Sequence, residues 1–271
     1  MSTSLRVRVT RRTVEAEGIC SFELQGVDGR PLPAFSAGSH VDVQLPGGLQ
    51  RQYSLCNDPT ETHRYLIAVL RDAASRGGSQ ALHDGVQPGN ELTISLPRNH
   101  FALAHDAVDH LLLAGGIGIT PLLCMAERLA LTGARFTLHY CTRSPGRTAF
   151  AERIATSGFA ARVQFHFDDG DAAQKLDLAA VLAAQQPGRH LYVCGPQGFM
   201  DAVLGGARAA GWPEAQLHFE YFGAAPADTG TDGSFQVRLA SSGRIVTVGK
   251  DQTVAGGARA GECRRGVGHV V

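Results

Sequence analysis

The chain has 271 residues, with 25 Lys plus Arg balanced by 25 Asp plus Glu, 44% hydrophobic residues and 18% charged. That length fits one large domain or two of ordinary size, and the hydrophobic share excludes an intrinsically disordered chain. With formal charge balanced, no net field exists to concentrate the chain on nucleic acid or an anionic membrane surface, so a charged ligand must be met by a local site.

From Arg6 to about Leu103 the chain reads as short alternating segments broken by turn residues: RVRVTRRTVE, ICSFELQG, HVDVQLPGG, RQYSL, RYLIAVL and ELTISLP. Period-2 alternation at this density predicts antiparallel β structure closed into a barrel over residues 1–104, with SQALHDGV as its one helix. From His110 the texture changes to apolar strands alternating with Ala/Leu-rich helices: HLLLAGG, TPLLCMAERLAL, RFTLHYC, TAFAERIA, VQFHF, LDLAAVLAA, HLYVCGP, GFMDAVLGGARAA and QLHFEYF. Strand–helix alternation with short links predicts a parallel sheet with right-handed crossovers over residues 105–223. Residues 224–233 are rich in Gly, Ala, Pro and Thr and read as a linker. A hairpin turning at Ser242–Gly243 is expected next, and residues from Ala255 onward, which have lost all periodicity, are expected to be disordered.

The chain has 33 glycines, about 12% against a usual share of roughly 7%, gathered in short clusters suited to close approach of backbone and ligand. The strongest cluster is Gly115-Gly116-Ile117-Gly118-Ile119-Thr120-Pro121, between an apolar strand and a helix. Thr120 suits the N-cap and Pro121 the first helical position, so free N–H groups at the helix start can hold a dinucleotide pyrophosphate. A tight strand-to-helix turn without a ligand is the alternative reading. In the first half, Arg51-Gln52-Tyr53-Ser54-Leu55 ends a strand and Arg76-Gly77-Gly78-Ser79 opens a helix. A guanidinium fork and a glycine-led helix start both suit phosphate, and a tyrosine ring between them can flank a flat heterocycle, although each motif alone is also an ordinary strand end or loop. Two later strands end in Cys141-Thr142-Arg143-Ser144 and Cys194-Gly195-Pro196, where a dinucleotide's ribose and nicotinamide would lie. Cys141 and Cys194 fit a buried apolar role equally well.

The six cysteines have no spacing of a zinc knuckle, redox pair or disulfide framework, which predicts a reducing, cytoplasmic setting. Residues 1–20 lack the apolar core of a signal peptide, and no later stretch reaches the roughly eighteen apolar residues of a membrane helix, so a soluble chain is expected. The eleven histidines form no H-x-x-x-H or H-E-x-x-H pair, and no metal site is expected among them.

Taken in order, YSLCNDP, SRGGSQALHD, PRNHF, AGGIGITPLL, CGPQGFM and the late HFEYF resemble the ferredoxin reductase-like flavoproteins, in particular the phthalate dioxygenase reductase and vanillate demethylase reductase group, over residues 5–254. The resemblance implies a two-domain fold, a β-barrel flavin domain followed by an α/β NAD(P)-binding domain. It implies that Arg51, Gly77, Gly78 and Ser79, with Arg76 beside them, hold the phosphate of a flavin, that Tyr53 lies against its ring and that Ser54 stands near the reactive N5. It further implies that Gly115, Gly116, Gly118, Thr120 and Pro121 hold the nicotinamide nucleotide's pyrophosphate, and that Arg143 and Ser144 meet its adenosine-side ribose. Cys194, Gly195 and Pro196 would border the nicotinamide, with Glu220 and Phe222 approaching the flavin; Ser54, Cys194, Glu220 and Phe222 are the implied catalytic group.

FMN is expected over FAD, and NADH over NADPH, with Arg143 as the residue that would favour a 2′-phosphate. Members of the group continue into a ferredoxin domain whose [2Fe–2S] cluster needs four thiolates. Residues 223–271 offer only Cys263, so the segment 234–271 reads as a remnant of that domain, truncated or translated out of frame, without cluster ligands. The expected activity is NAD(P)H-dependent electron transfer through flavin to an oxygenase component or a separate ferredoxin. The alternatives are a stand-alone reductase serving free flavin or dioxygen, and a nucleotide- or flavin-binding sensor without turnover.

Overall fold

The fold is that of a computed structural model describing residues 4–45, 48–72, 77–222, 234–238 and 245–248. The chain divides into one unit spanning 1–222 and a second spanning 223–271.

The first unit begins with β1 (Ser4–Ala16), β2 (Ile19–Gly26), β3 (Ser39–Leu45), β4 (Leu49–Ser54), β5 (Tyr65–Leu70), α1 (Gly78–Gly85), β6 (Glu91–Ser95) and β7 (Arg98–Asn99). These strands form an antiparallel sheet in the order β4-β3-β6-β1-β2-β5, with the short β7 on β3. The two ends of the order meet through a bridge between Leu55 and Ile67, which curls the sheet on itself. Successive side chains of a strand point to opposite faces, and the alternate residues Val7 and Val9, Phe22 and Leu24, Val41 and Val43, and Ile67 and Val69 pack one core. Strand β5 is buried on both faces, because Leu66 and Ala68 join a second core with Leu122, Leu123 and Met125 of the following helix. The apolar run YLIAVL, without alternation, is the local signature of that double burial.

The second half of the unit contains β8 (Asp109–Gly115), α2 (Ile119–Leu131), β9 (Arg135–Thr142), α3 (Ala151–Ala155), β10 (Val163–Phe167), α4 (Leu178–Ala183), β11 (Arg189–Cys194), α5 (Gln197–Ala209) and β12 (Leu217–Glu220). All five strands are parallel, in the order β10-β9-β8-β11-β12. Strand order reverses between β8 and β11, so their carboxyl ends border the crevice where open α/β sheets receive ligands. Helix α3 is shorter than TAFAERIA predicts. Phe150 adopts φ 60° and is buried with Thr148 and Ala149, so these three residues pack as loop into the core and the helix starts only at Ala151.

In the second unit, β13 (Phe235–Arg238) and β14 (Ile245–Val248) pair antiparallel as a hairpin. The linker at 224–233, the turn at Ser242–Gly243 and the tail from Ala255 that contains Cys263 lie outside the described residues. Among the described residues no helix is long and apolar enough to cross a membrane.

Candidate functional site

Strand β4 supplies the first part of the site. Its pairing with β3 sets Ser54 opposite His40, Tyr53 opposite Val41 and Arg51 opposite Val43. Arg51 leans over the start of α1: a Cβ placed on Gly78 would lie 2.6 Å from Arg51 Cγ and 2.8 Å from its Nε. The motifs RQYS and GGS, which begin at Arg51 and Gly77, are thus one structure, and a side chain at position 78 would push the guanidinium away. Gly77, at φ 89°, is the N-cap of α1, a conformation that L side chains rarely adopt. Ser79 Oγ accepts a hydrogen bond from Asp72 N at 3.2 Å, and Arg51 Nη1 donates to the Gln50 carbonyl at 2.8 Å. Tyr53 lies half-buried at the edge of the barrel core, and burial pushes its phenol up to about 12. Arg76 lies outside the described residues.

The second part is the β8–α2 turn. Gly115 ends β8, Gly116 to Gly118 form a single 3-10 turn, and α2 starts at Ile119 with Gly118 as its N-cap. This corrects the expected cap: Thr120 and Pro121 are the second and third helical residues, and Thr120 Oγ1 donates backwards to the Ile117 carbonyl at 3.1 Å. The short 3-10 turn continues the helical path one turn earlier than the Thr-Pro pair indicates. No side chain caps α1 or α2. Helix starts leave N–H groups without intrahelical partners and carry partial positive charge, so both ends fit a phosphate-bearing group, with Arg51 adding full charge at α1.

The third part is a row across the parallel sheet. Register pairs Tyr140 with Ala114, Ala114 with Cys194 and Cys194 with Glu220, all near the carboxyl ends of their strands. Cys194 is wholly buried, and desolvation with Glu220 nearby raises its thiol well above the ordinary range. Gly118 locks the turns of β8 and β11 together: a Cβ there would meet the Cys194 carbonyl oxygen at 2.1 Å and Gly195 N at 2.7 Å. Gly195 is close-packed to a lesser degree, since its Cβ would lie 2.9 Å from a ring carbon of Phe199 and 3.0 Å from Gly115 Cα. Pro196 is exposed and precedes α5 as its N-cap, accepting from Met200 N at 3.0 Å.

The two halves meet at Glu220, whose Oε2 accepts a 3.1 Å hydrogen bond from Ser54 Oγ. Burial pushes the Glu220 carboxyl up to about 7, partly offset by the Ser54 bond. Ser54 and Cys194 are therefore brought to Glu220, one by hydrogen bond and one by strand register. Arg143 and Ser144 sit apart, at the end of β9. Arg143 is exposed and accepts a backbone bond from Asp169 N at 3.1 Å, while the Ser144 carbonyl receives Thr142 Oγ1 and Thr148 Oγ1. Phe222, two residues past β12, is 46% exposed.

One residue of the cluster escapes the sequence motifs. His40 is 4% exposed, both of its ring nitrogens lack a hydrogen-bond partner, and Nδ1 lies 3.9 Å from Glu220 Oε1. The available signal was a histidine at an inward position of SHVDVQL, in register with the last residue of RQYS. Among the described residues no group of three or more His, Cys, Asp or Glu side chains is arranged to hold a metal ion.

Residues 92–217 match the family model "Dimethylamine monooxygenase subunit DmmA-like, N-terminal domain". The chain is similar to a vanillate O-demethylase oxidoreductase of Pseudomonas putida, 58% identical over 246 residues that make up 91% of this chain and 77% of the relative. It is 41% identical to a phthalate dioxygenase reductase of Burkholderia cepacia, across 92% of this chain and 77% of that protein. A solved phthalate dioxygenase reductase, described as a modular structure for electron transfer from pyridine nucleotides to [2Fe–2S], superposes with TM-score 0.79 and 39% identity over 97% of this chain and 82% of its own. By sequence and by fold the chain belongs to the oxygenase-reductase family of vanillate O-demethylase oxidoreductase and phthalate dioxygenase reductase.

Proposed function

We propose that this chain takes electrons from a reduced nicotinamide nucleotide through a flavin and passes them to an oxygenase component or a separate ferredoxin. The observation that carries this reading is the Ser54–Glu220 hydrogen bond, which joins the barrel strand that leads from Arg51 to the parallel-sheet strand beside Cys194. The starts of α1 and α2, one per half and neither capped by a side chain, support a reading in which two phosphate-bearing cofactors stack their flat rings between the halves. The chemistry supplied by the cofactors when bound is hydride transfer from nicotinamide to flavin, and the protein supplies position and electrostatics.

Within this reading Arg51, Arg76 and Gly77 to Ser79 hold the flavin phosphate, Tyr53 lies along the ring, and Gly115, Gly116, Gly118, Thr120 and Pro121 line the pyrophosphate turn. Cys194, Gly195 and Pro196 flank the nicotinamide, and Glu220 and Phe222 approach from the last strand. Arg143 and Ser144 receive the distal ribose. FMN is the flavin, because Arg51 and α1 suit one terminal phosphate; release of the cofactor by heat and its mass measurement tests this, and recovery of FAD overturns it. NADH is the donor, and a tenfold preference for NADPH in kcat/KM, about 1.4 kcal/mol, reverses that assignment. The five described cysteines are all free, which suits a reducing, cytoplasmic compartment.

The deciding experiment is anaerobic addition of NADH to the flavin-loaded protein, followed by visible absorption. Bleaching of the flavin band is expected. A bound flavin that stays oxidised makes the protein a sensor without turnover and ends the reductase reading.

A further inference from the structure

The Ser54–Glu220 bond uses one carboxylate oxygen and leaves the other facing a histidine that has nothing else to bind. His40 stands opposite Ser54 in the β3–β4 ladder and opposite Arg98 in the β3–β7 ladder. Cross-strand partners share a face of the sheet, which is why both His40 and Ser54 reach the same glutamate. A buried polar group without a partner is costly, and both nitrogens of His40 are in that state. Glu220 Oε1 lies 3.9 Å from Nδ1 and is the carboxylate oxygen that Ser54 leaves unused.

We propose that His40 is a positioning residue for Glu220, sharing a proton with its Oε1 and so holding Oε2 toward Ser54. This inference rests on the proposed reductase reading for its role in catalysis, but the pair itself can be measured without turnover. The exchange is balanced within the pair: as Nδ1–H breaks, Oε1–H forms, the imidazolium becomes imidazole and the carboxylate becomes carboxylic acid. Either form leaves the pair with no net charge, and burial favours the neutral one.

The surroundings press the same way. Burial first, then His100 at 5.4 Å between ring centroids and Arg98, disfavour charge on His40, against the opposing pull of Asp42, which is itself paired to Arg98. On the β11 side Glu220 faces the neutral Cys194 thiol. Burial therefore favours the uncharged form of the His40–Glu220 pair, with Ser54 Oγ donating to the far carboxylate oxygen at 3.1 Å.

The test is a pH titration from about 5 to 9 of the flavin-loaded protein carrying 15N-histidine, read by NMR. The expected result is that the His40 ring signals shift with a midpoint near that of Glu220 and that this step vanishes in Glu220→Gln. A His40 titration identical in Glu220→Gln overturns the pairing. In parallel, stopped-flow flavin reduction by NADH is followed against pH. His40→Gln, which keeps a polar side chain but cannot exchange the proton, is expected to shift the limb near pH 7, where Glu220 titrates, and to slow the reaction on the order of tenfold. His40→Asn serves as the second variant if the glutamine form does not retain flavin. Wild-type bleaching with an unchanged pH profile in the loaded variant overturns the positioning role, whereas failure of wild type to bleach overturns the reductase reading and leaves the NMR result to decide the pair.

Discussion

Gly118→Ala is the sharpest perturbation of the proposed nucleotide-binding turn. The added methyl carbon would lie 2.1 Å from the Cys194 carbonyl oxygen, 2.4 Å from its carbon and 2.7 Å from Gly195 N. All three neighbours are backbone at the end of β11, so relief requires the β8 and β11 turns to separate by about 1 Å, not the swing of a side chain. Overpacking of a tight core typically costs about 1–3 kcal/mol, and rigid backbone on both sides puts this substitution at the upper end, about 3 kcal/mol. For a unit of this size each kcal/mol lowers Tm by about 2–4 °C, so a fall of about 6–12 °C is expected. Separation of the turns also displaces the uncapped start of α2, and KM for NADH should rise at least tenfold. Gly116→Ala is the control: its φ is 53° but nothing lies within 4 Å of a Cβ there, so it carries only the left-handed backbone cost of about 1 kcal/mol. Calorimetry and steady-state kinetics on both variants decide the matter. A Gly118→Ala protein that melts no lower than Gly116→Ala, with wild-type KM, refutes the close-approach argument.

Other outcomes follow from the same structure. Arg51→Ala removes the proposed charge-assisted contact with the flavin phosphate, and flavin affinity should fall by about 2 kcal/mol, roughly thirtyfold, by fluorescence titration; an unchanged Kd places the phosphate elsewhere. Burial pushes Glu127 up to about 7 despite its 2.6 Å ion pair with Arg153, and one of its oxygens has no partner. Because the folded protein then binds the proton more tightly than the unfolded chain, this group's contribution to stability falls as pH rises from about 4.5 to 7 and levels off above. In Glu127→Gln that fall, at most about 3 kcal/mol, should flatten in denaturant titrations at several pH values, and an unaltered slope would show that the residue is ionised throughout. The 271-residue chain should hold no plant-type iron–sulfur cluster, since four thiolates are needed and residues 223–271 contain only Cys263. Two irons per chain after anaerobic reconstitution contradict this.

The sequence by itself determined the elements and their order. Alternating residues such as Val7 and Val9, or Val41 and Val43, bury one face of a strand, and the short apolar runs of β8 and β11, each ending in a glycine turn, read as strands covered on both faces. Local chemistry also marked the glycine turn, because a strand that runs through Gly-Gly-x-Gly into a helix has few backbone solutions. Where that helix starts was decided by the 3-10 turn at Gly116–Gly118, and where α3 starts by the burial of Phe150; both depend on packing that no local pattern encodes. The meeting of Ser54 with Glu220 spans 166 residues, and Arg51 meets Gly78 only because the sheet curls shut between Leu55 and Ile67. His40 shows the limit most plainly: one histidine in an alternating strand reads as core, and only the register that sets it opposite Ser54, with β12 ending above both, turns it toward a carboxylate. Motifs record which atoms a short segment can offer, whereas the long-range pairings that bring those atoms within a few ångströms are fixed by tertiary packing alone.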